Sequence, residues 1–362
     1  MRGPTIKKTL IRLGIFLLLL SPSLLLRAQE YPDYNWQYAQ NPGGAGWDKG
    51  QLEKLRKFLI DSTSITGFLI IHREKIVFEY GDIRENSYIA SCRKSVLSMI
   101  YGEHVKSGEI DLNKSLKDLG IDDVGGLLPV EKEATVKDII SARSGVFHPA
   151  SYLGDYLAYA PKRGSVMPGK YWLYSNWDFN MAGYIFEKET RRNIYDEVER
   201  ILVLPLHMQD WNRSLQHKEG DTTRSFYEAY PMWFSTRDMA RIGQLMLNKG
   251  EWGGRQIIDE DWIREMLTPR TSFTEINDHI PDYRNTGYDF GYGYMWWLWQ
   301  HTDDDRFKGA YSALGNMGQC ISVFPAIDAV IVYKTKSAYE RETPFLARYR
   351  VLTLAVKSLD SK

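Results

Sequence analysis

The sequence predicts an α+β fold: an antiparallel sheet built from both ends of the chain, flanked by helices, with a mainly helical segment inserted between them. Three observations predict it. β-rich runs occur early, in "TGFLIIHREKIVFEYGD" (Thr66 to Asp82), and return late, in "YGYMWWLWQ", "QCISVFP" and "AVIVYKTK". Between them, from about residue 108 to 284, the apolar pattern is helical and broken by long loops. An amphipathic stretch, "PFLARYRVLTLAVKSL", then closes the chain as a helix. Separated strands around one helical block are most simply joined in a single sheet.

The elements follow in order. Residues 1–28 carry a basic start (Arg2, Lys7, Lys8, Arg12), a short apolar run from Leu13 to Leu26 broken by Pro22, and a small residue, Ala28. This pattern predicts a secretory signal peptide more than a spanning helix, because the run is too short to cross a bilayer, with an uncleaved N-terminal anchor as the alternative. The expected mature chain, residues 29–362, is then exported to the periplasm or outside the cell, with no stable membrane span after cleavage. It reads as one catalytic-size domain, with an α/β part over about 47–107 and 285–362 and a helical part over about 108–284. "YPDYNWQYAQNPGGAGW" is an aromatic, glycine-rich strap. From Asp48 to Ser62, Leu52, Leu55, Phe58 and Leu59 recur on one helical face. Thr66 to Asp82 reads as a hairpin around the charged turn Arg73-Glu74-Lys75. A helix start follows at "IASCRKSVLSMIYG", and "TVKDIISARSG", Asp178 to Leu206 and "TRDMARIGQLMLNKG" are helix-like.

Composition excludes several functions. The leader holds five Lys or Arg and no acid, which leaves 41 basic against 46 acidic residues in the mature chain. A net charge of −5 with scattered basic residues gives no footprint for nucleic acid. Cys92 and Cys320 are the chain's two cysteines, which makes a disulfide framework unnecessary; they read as free buried thiols or as one bridge. No histidine pair has ligand spacing near them, so neither a metal nor a cofactor is implied.

Three stretches carry possible chemistry. In "SCRKS", Ser91 and Lys94 are three apart, on one face of a helix that enters the core. Burial disfavours the ammonium, and a lysine that shares its proton can activate a serine hydroxyl. A serine at a helix start also has backbone N–H groups beside it for an oxyanion. In "PGKYWLYSNWDF", Tyr174 and Asn176 fall on the same side of an extended segment, where a phenol can relay a proton and an amide can hold a lysine and a substrate carbonyl. In "GAYSALGNMGQCISVFP", Gly315 and Gly318 permit close backbone approach before a strand, and the Gln319 N–H is a candidate second oxyanion donor. Taken singly, each also fits a capping serine with a surface lysine, a packed tyrosine at a helix entry, or a glycine turn.

Together, in this order, the three stretches resemble the serine β-lactamase and penicillin-binding-protein superfamily, on its class C-type branch of esterases, D-aminopeptidases and 6-aminohexanoate-dimer hydrolases. "GEIDLNKSLKDL", "TVKDIISARSG" and "WFSTRDMARIGQLMLNKGEWGGRQIID" extend the resemblance over roughly residues 50–355. It implies a β-lactamase/transpeptidase-like fold, a nucleophile at Ser91, its base partner at Lys94, a proton-relaying Tyr174, and a positioning Asn176. Gly318 and Tyr311 join Gln319 as candidate substrate-binding residues. The base assignment is disputed within the superfamily. The usual third motif carries a lysine or histidine that grips a substrate carboxylate. Here the matching positions are Asn316-Met317-Gly318, with Arg143 or Arg237 left as candidates for the missing charge. Glu109, in "EIDLN", precedes Tyr174 and reads as a structural junction.

The expected function is a secreted serine hydrolase acting on a small-molecule or short peptide-like amide or ester. The alternatives are a D-aminopeptidase or DD-peptidase on cell-wall peptides, and a catalytically silent binding protein on the same fold.

Overall fold

The computed structural model describes residues 1, 3, 32–152, 154, 156–284, 289–336 and 341–360. The expected leader, with its apolar run from Leu13 to Leu26, lies outside them. The unit Tyr31–Lys362 is described below. Among the described residues, no helix is long and apolar enough to cross a membrane.

The chain enters along β1 (Gln37–Tyr38) and turns into α1 (Lys49–Ser62). Asp48 caps α1 by accepting from the Gln51 N–H, and Leu52, Leu55 and Leu59 are buried as their spacing predicts. β2 (Gly67–His72) and β3 (Lys75–Gly81) form the expected hairpin. Its turn residues Arg73 and Glu74 have φ of 50° and 65°, the mirror-image turn whose twist matches that of the strands. β4 (Ser87–Tyr88) then leads into α2 (Cys92–Lys106).

The middle of the chain holds α3 (Val136–Ile140), α4 (Asn176–Thr190), α5 (Ile194–Val198), β5 (Trp233–Phe234), α6 (Thr236–Leu247), β6 (Glu251–Trp252), β7 (Arg255–Gln256), α7 (Glu260–Met266) and α8 (Phe273–His279). The helix-like stretch from Asp178 to Leu206 is divided. Arg191, at φ 60°, ends α4, and Asn193 caps α5 by accepting from the Tyr195 N–H.

β8 (Phe290–Tyr292), β9 (Trp297–Trp299), β10 (Tyr311–Gly315), β11 (Gln319–Phe324), β12 (Ala329–Lys334) and α9 (Phe345–Lys357) complete the chain. β10 went unmarked in the sequence, because "YSALG" has small residues and no strong alternation. Its two neighbours supply the pairing that makes it a strand.

The main sheet runs β1-β3-β2-β12-β11-β10-β9-β8, with β1 parallel to β3 and the other pairs antiparallel. β2 and β12 pair from Gly67 opposite Lys334 to His72 opposite Ala329, which joins the two ends of the chain as expected. Every residue of β2, β11 and β12 is buried. Strands covered on both faces read as apolar runs instead of alternating ones. α6 covers these strands, and α1 packs on α9. At Gly243 of α6 a Cβ would come within 2.4 Å of Val330 Cγ1, so the helix lies almost on the sheet.

Candidate active site

Ser91 heads α2, with φ −72° and ψ −8°. Ala90 before it has φ 49°, a left-handed conformation that is uncommon without glycine and is often found at functional sites. This bend brings the chain from β4 into α2 and puts Ser91 at the positive end of the helix dipole. α2 is buried for most of its length because it is held from several sides. Ser95 Oγ donates to Met295 O at 2.6 Å, and Trp262 Nε1 donates to Ser98 O at 2.8 Å.

Lys94 Nζ lies 3.0 Å from Ser91 Oγ, 2.8 Å from the Tyr174 hydroxyl and 2.8 Å from Asn176 Oδ1. The lysine is 1% exposed. Three partners surround the amine nitrogen, so its burial leaves no direction about it unmet. The Tyr174 and Phe179 rings cover Nζ at 4.2 and 4.3 Å. Asn176 is fixed as the first residue of α4, and its Nδ2 donates to Tyr152 O at 3.3 Å. Tyr174 stacks on Trp297, with centroids 5.5 Å apart. Burial pushes the Tyr174 phenol well above its usual range, against the opposing pull of its hydrogen bond with Ser91 and of the Arg93 charge. It is therefore a neutral hydroxyl at pH 7, fit to pass a proton along.

The β10–β11 hairpin closes the other side. A Cβ on Gly315 would lie 2.7 Å from Ile89 O and 3.1 Å from Ala90 Cβ, so only glycine lets β10 come this near the residues before Ser91. The hairpin tip, Asn316 and Met317, lines a cleft of about 140 Å³ together with Ser91, Arg93, Asn176 and Tyr152. Met317 sits at φ 62°. Two larger cavities, of about 380 and 960 Å³, share no lining residue with this cleft.

The family model described as Beta-lactamase matches residues 66–355. The chain belongs to the beta-lactamase family. Solved structures share this fold at low identity. One, assigned as a 6-aminohexanoate-dimer hydrolase from Bacillus anthracis, is 20% identical with a TM-score of 0.65, over 91% of this chain and 90% of that one. A class C beta-lactamase is 14% identical with a TM-score of 0.63, over 90% and 99%. EstCE1, described as a hydrolase with promiscuous acyltransferase activity, is 13% identical with a TM-score of 0.58, over 83% and 97%.

In this beta-lactamase-family chain, four of the residues singled out by sequence meet in one site: Ser91, Lys94, Tyr174 and Asn176. Gly315, Asn316 and Met317 border it from the hairpin, and the other candidates lie elsewhere. Tyr311 is buried in β10, donates to Met246 O at 2.9 Å and lines the 380 Å³ cavity, because its place on the strand turns it from the cleft. Gln319 pairs with Gly315 in the ladder, and its amide donates to Thr335 O at 2.6 Å. Gly318 packs against Thr335 and Thr343. The hairpin thus presents its tip, Asn316 and Met317, where the sequence pointed to the residues that follow. Arg143 pairs with Glu275 at 2.9 Å, and Arg237 is bidentate to Asp210 at 2.5 Å. Glu109 meets His104 at 2.6 Å. Cys92 and Cys320 are separate buried thiols. Sequence reasoning missed Arg93, Tyr88 and Tyr152 as cleft residues. The signal at hand was Arg93 itself, a cation between nucleophile and base in a helix otherwise heading inward.

Proposed function

We propose that the protein is an exported serine hydrolase that cleaves a small amide or ester through a covalent acyl-Ser91 intermediate. The observation that carries this reading is the position of Lys94 Nζ, within hydrogen-bond reach of both the Ser91 hydroxyl and the Tyr174 phenol. With Lys94 acting as a neutral amine, which donates to Tyr174 and Asn176 and turns its lone pair to the Ser91 hydroxyl, Ser91 Oγ attacks the substrate carbonyl as its proton passes to that amine. The oxyanion that forms faces the Ser91 N–H at the head of α2 and the N–H of Asn316 at the hairpin tip. The choice of Asn316 rests on its neighbours: the Met317 N–H is already taken by Asn316 Oδ1 at 2.8 Å, and Gln319 is held in the ladder. When the intermediate collapses, Tyr174 gives its proton to the leaving amine or alkoxide and is resupplied by Lys94. Water then attacks the acyl-Ser91 ester, with Tyr174 and Lys94 taking its proton, and Ser91 leaves as the hydroxyl. Export is supported by the basic, apolar, small-residue order of residues 1–28.

A fluorophosphonate probe tests the reading. Labelling should map to Ser91 by mass spectrometry and vanish in Ser91→Ala, with the variant's thermal unfolding unchanged within a few degrees. Label retained in Ser91→Ala, or carried by another residue, would refute the assignment.

A further inference from the structure

Arg93 is 2% exposed, yet it lines the Ser91 cleft. Among the described residues it has no carboxylate partner. Its hydrogen bond is a long one, from Nη2 to Asn180 Oδ1 at 3.5 Å, and its Nε is buried with no partner. The face of Tyr230 covers the guanidinium at 4.8 Å. Its charge reaches the phenols of Tyr152, Tyr174, Tyr195 and Tyr230, on each of which it acts against the effect of burial. The other buried arginine among the described residues, Arg241, also leaves its Nε without a partner, but its two terminal nitrogens donate to four backbone carbonyls.

A guanidinium withdrawn from water with one weak acceptor and an aromatic face is undercompensated. Such a group is an unusual expense for a helix to carry beside a nucleophile unless an anion enters the cleft. Its planar fork of donors matches a carboxylate in two parallel hydrogen bonds. The cleft is small, about 140 Å³, so a group held by Arg93 lies only a few bonds from Ser91. The hairpin tip supplies no charge, and Arg143 and Arg237 are committed to Glu275 and Asp210.

We propose that Arg93 is the carboxylate receptor of the Ser91 cleft, so that preferred substrates carry a carboxylate a few bonds from the scissile carbonyl. This rests on the hydrolase reading above. The charge that the hairpin tip lacks then comes from α2 itself, from the residue before the base. Adjacent residues on a helix point about 100° apart, which keeps the receptor off the side where Lys94 meets Ser91.

Two matched pairs of esters test it, because the carboxylate can fall on either side of the scissile bond. One pair is p-nitrophenyl pentanoate and p-nitrophenyl hemiglutarate; the other is phenyl acetate and 4-carboxyphenyl acetate. At low ionic strength the anionic member of at least one pair should be preferred about tenfold or more in kcat/KM, chiefly through KM. Arg93→Gln should bring that ratio to about one, and Arg93→Lys should keep part of it. No preference in either pair, or a preference that survives in Arg93→Gln, overturns the proposal. A binding measurement separates it from the hydrolase reading. Glutarate should raise the melting temperature of Ser91→Ala but not of Ser91→Ala/Arg93→Gln. Glutarate binding that needs Arg93, with no ester turned over, refutes the hydrolase and keeps the receptor. Ester turnover without charge preference, with glutarate bound equally by both variants or by neither, refutes the receptor and keeps the hydrolase.

Discussion

Lys94 Nζ and the Tyr174 hydroxyl lie 2.8 Å apart across 80 residues of chain, with the Phe179 ring over the amine and Trp297 stacked on the phenol. One group comes from the first turn of α2 and the other from the extended segment before α4. In the proposed mechanism this contact gives the serine's proton two carriers in series, with the lysine also touching Ser91.

Removing the first carrier should cost more than removing the second. Lys94→Ala is expected to lower kcat by ~100-fold or more, the low end for a positioned acid or base. Tyr174→Phe should cost about tenfold, since Lys94 still reaches Ser91 directly. Steady-state rates on a p-nitrophenyl ester, with circular dichroism as the fold control, check both. A loss of only two- or threefold in Lys94→Ala would place the lysine outside the mechanism.

Gly315→Ala should impair the site without touching any of its side chains. The added methyl would lie 2.7 Å from Ile89 O, a backbone atom that cannot swing aside. The hairpin tip must then move away from Ser91, and a displacement of about 1 Å can cost on the order of 100-fold in rate. Probe labelling of Ser91 should slow accordingly, while the melting temperature changes little. Wild-type labelling kinetics in this variant would show that the tip is not part of the oxyanion site.

Lys334 gives a stability signature. It is buried at the end of β12, where its amine donates to Glu85 O and Phe234 O. Burial lowers its pKa from 10.5 to about 7. A neutral amine has two protons for those two carbonyls. The unfolded chain binds this proton below pH 10.5, and the folded one only below about pH 7. Stability from this group is therefore full above pH 10.5, is lost as pH falls, and has gone below about pH 7. In this window the difference between wild type and Lys334→Met should change by up to about 1.4 kcal/mol per pH unit. Urea melts of both proteins at pH 7 and pH 9 measure it, with wild type gaining on the variant at the higher pH. A difference independent of pH would mean that Lys334 stays charged in the fold.

The apolar runs of β2, β11 and β12, the leucine spacing of α1 and the Ser-x-x-Lys pair of α2 are local statements, and the sequence alone determined them. Backbone geometry and side-chain periodicity act over a few residues, so neighbours in the chain suffice to specify them. The order of those elements, together with the motif resemblance, was also enough for the fold class.

Only the tertiary structure decided what faces Ser91. β10 exists because β9 and β11 pair with it, and that pairing turns Tyr311 toward Met246 and leaves the hairpin tip, not Gln319, at the cleft. Whether Arg93 is a solvated charge or a buried one depends on Tyr230 and Asn180, both more than eighty positions away. Such contacts are the outcome of many weak packing and pairing energies summed over distant segments. A residue's own neighbours in sequence do not carry that sum.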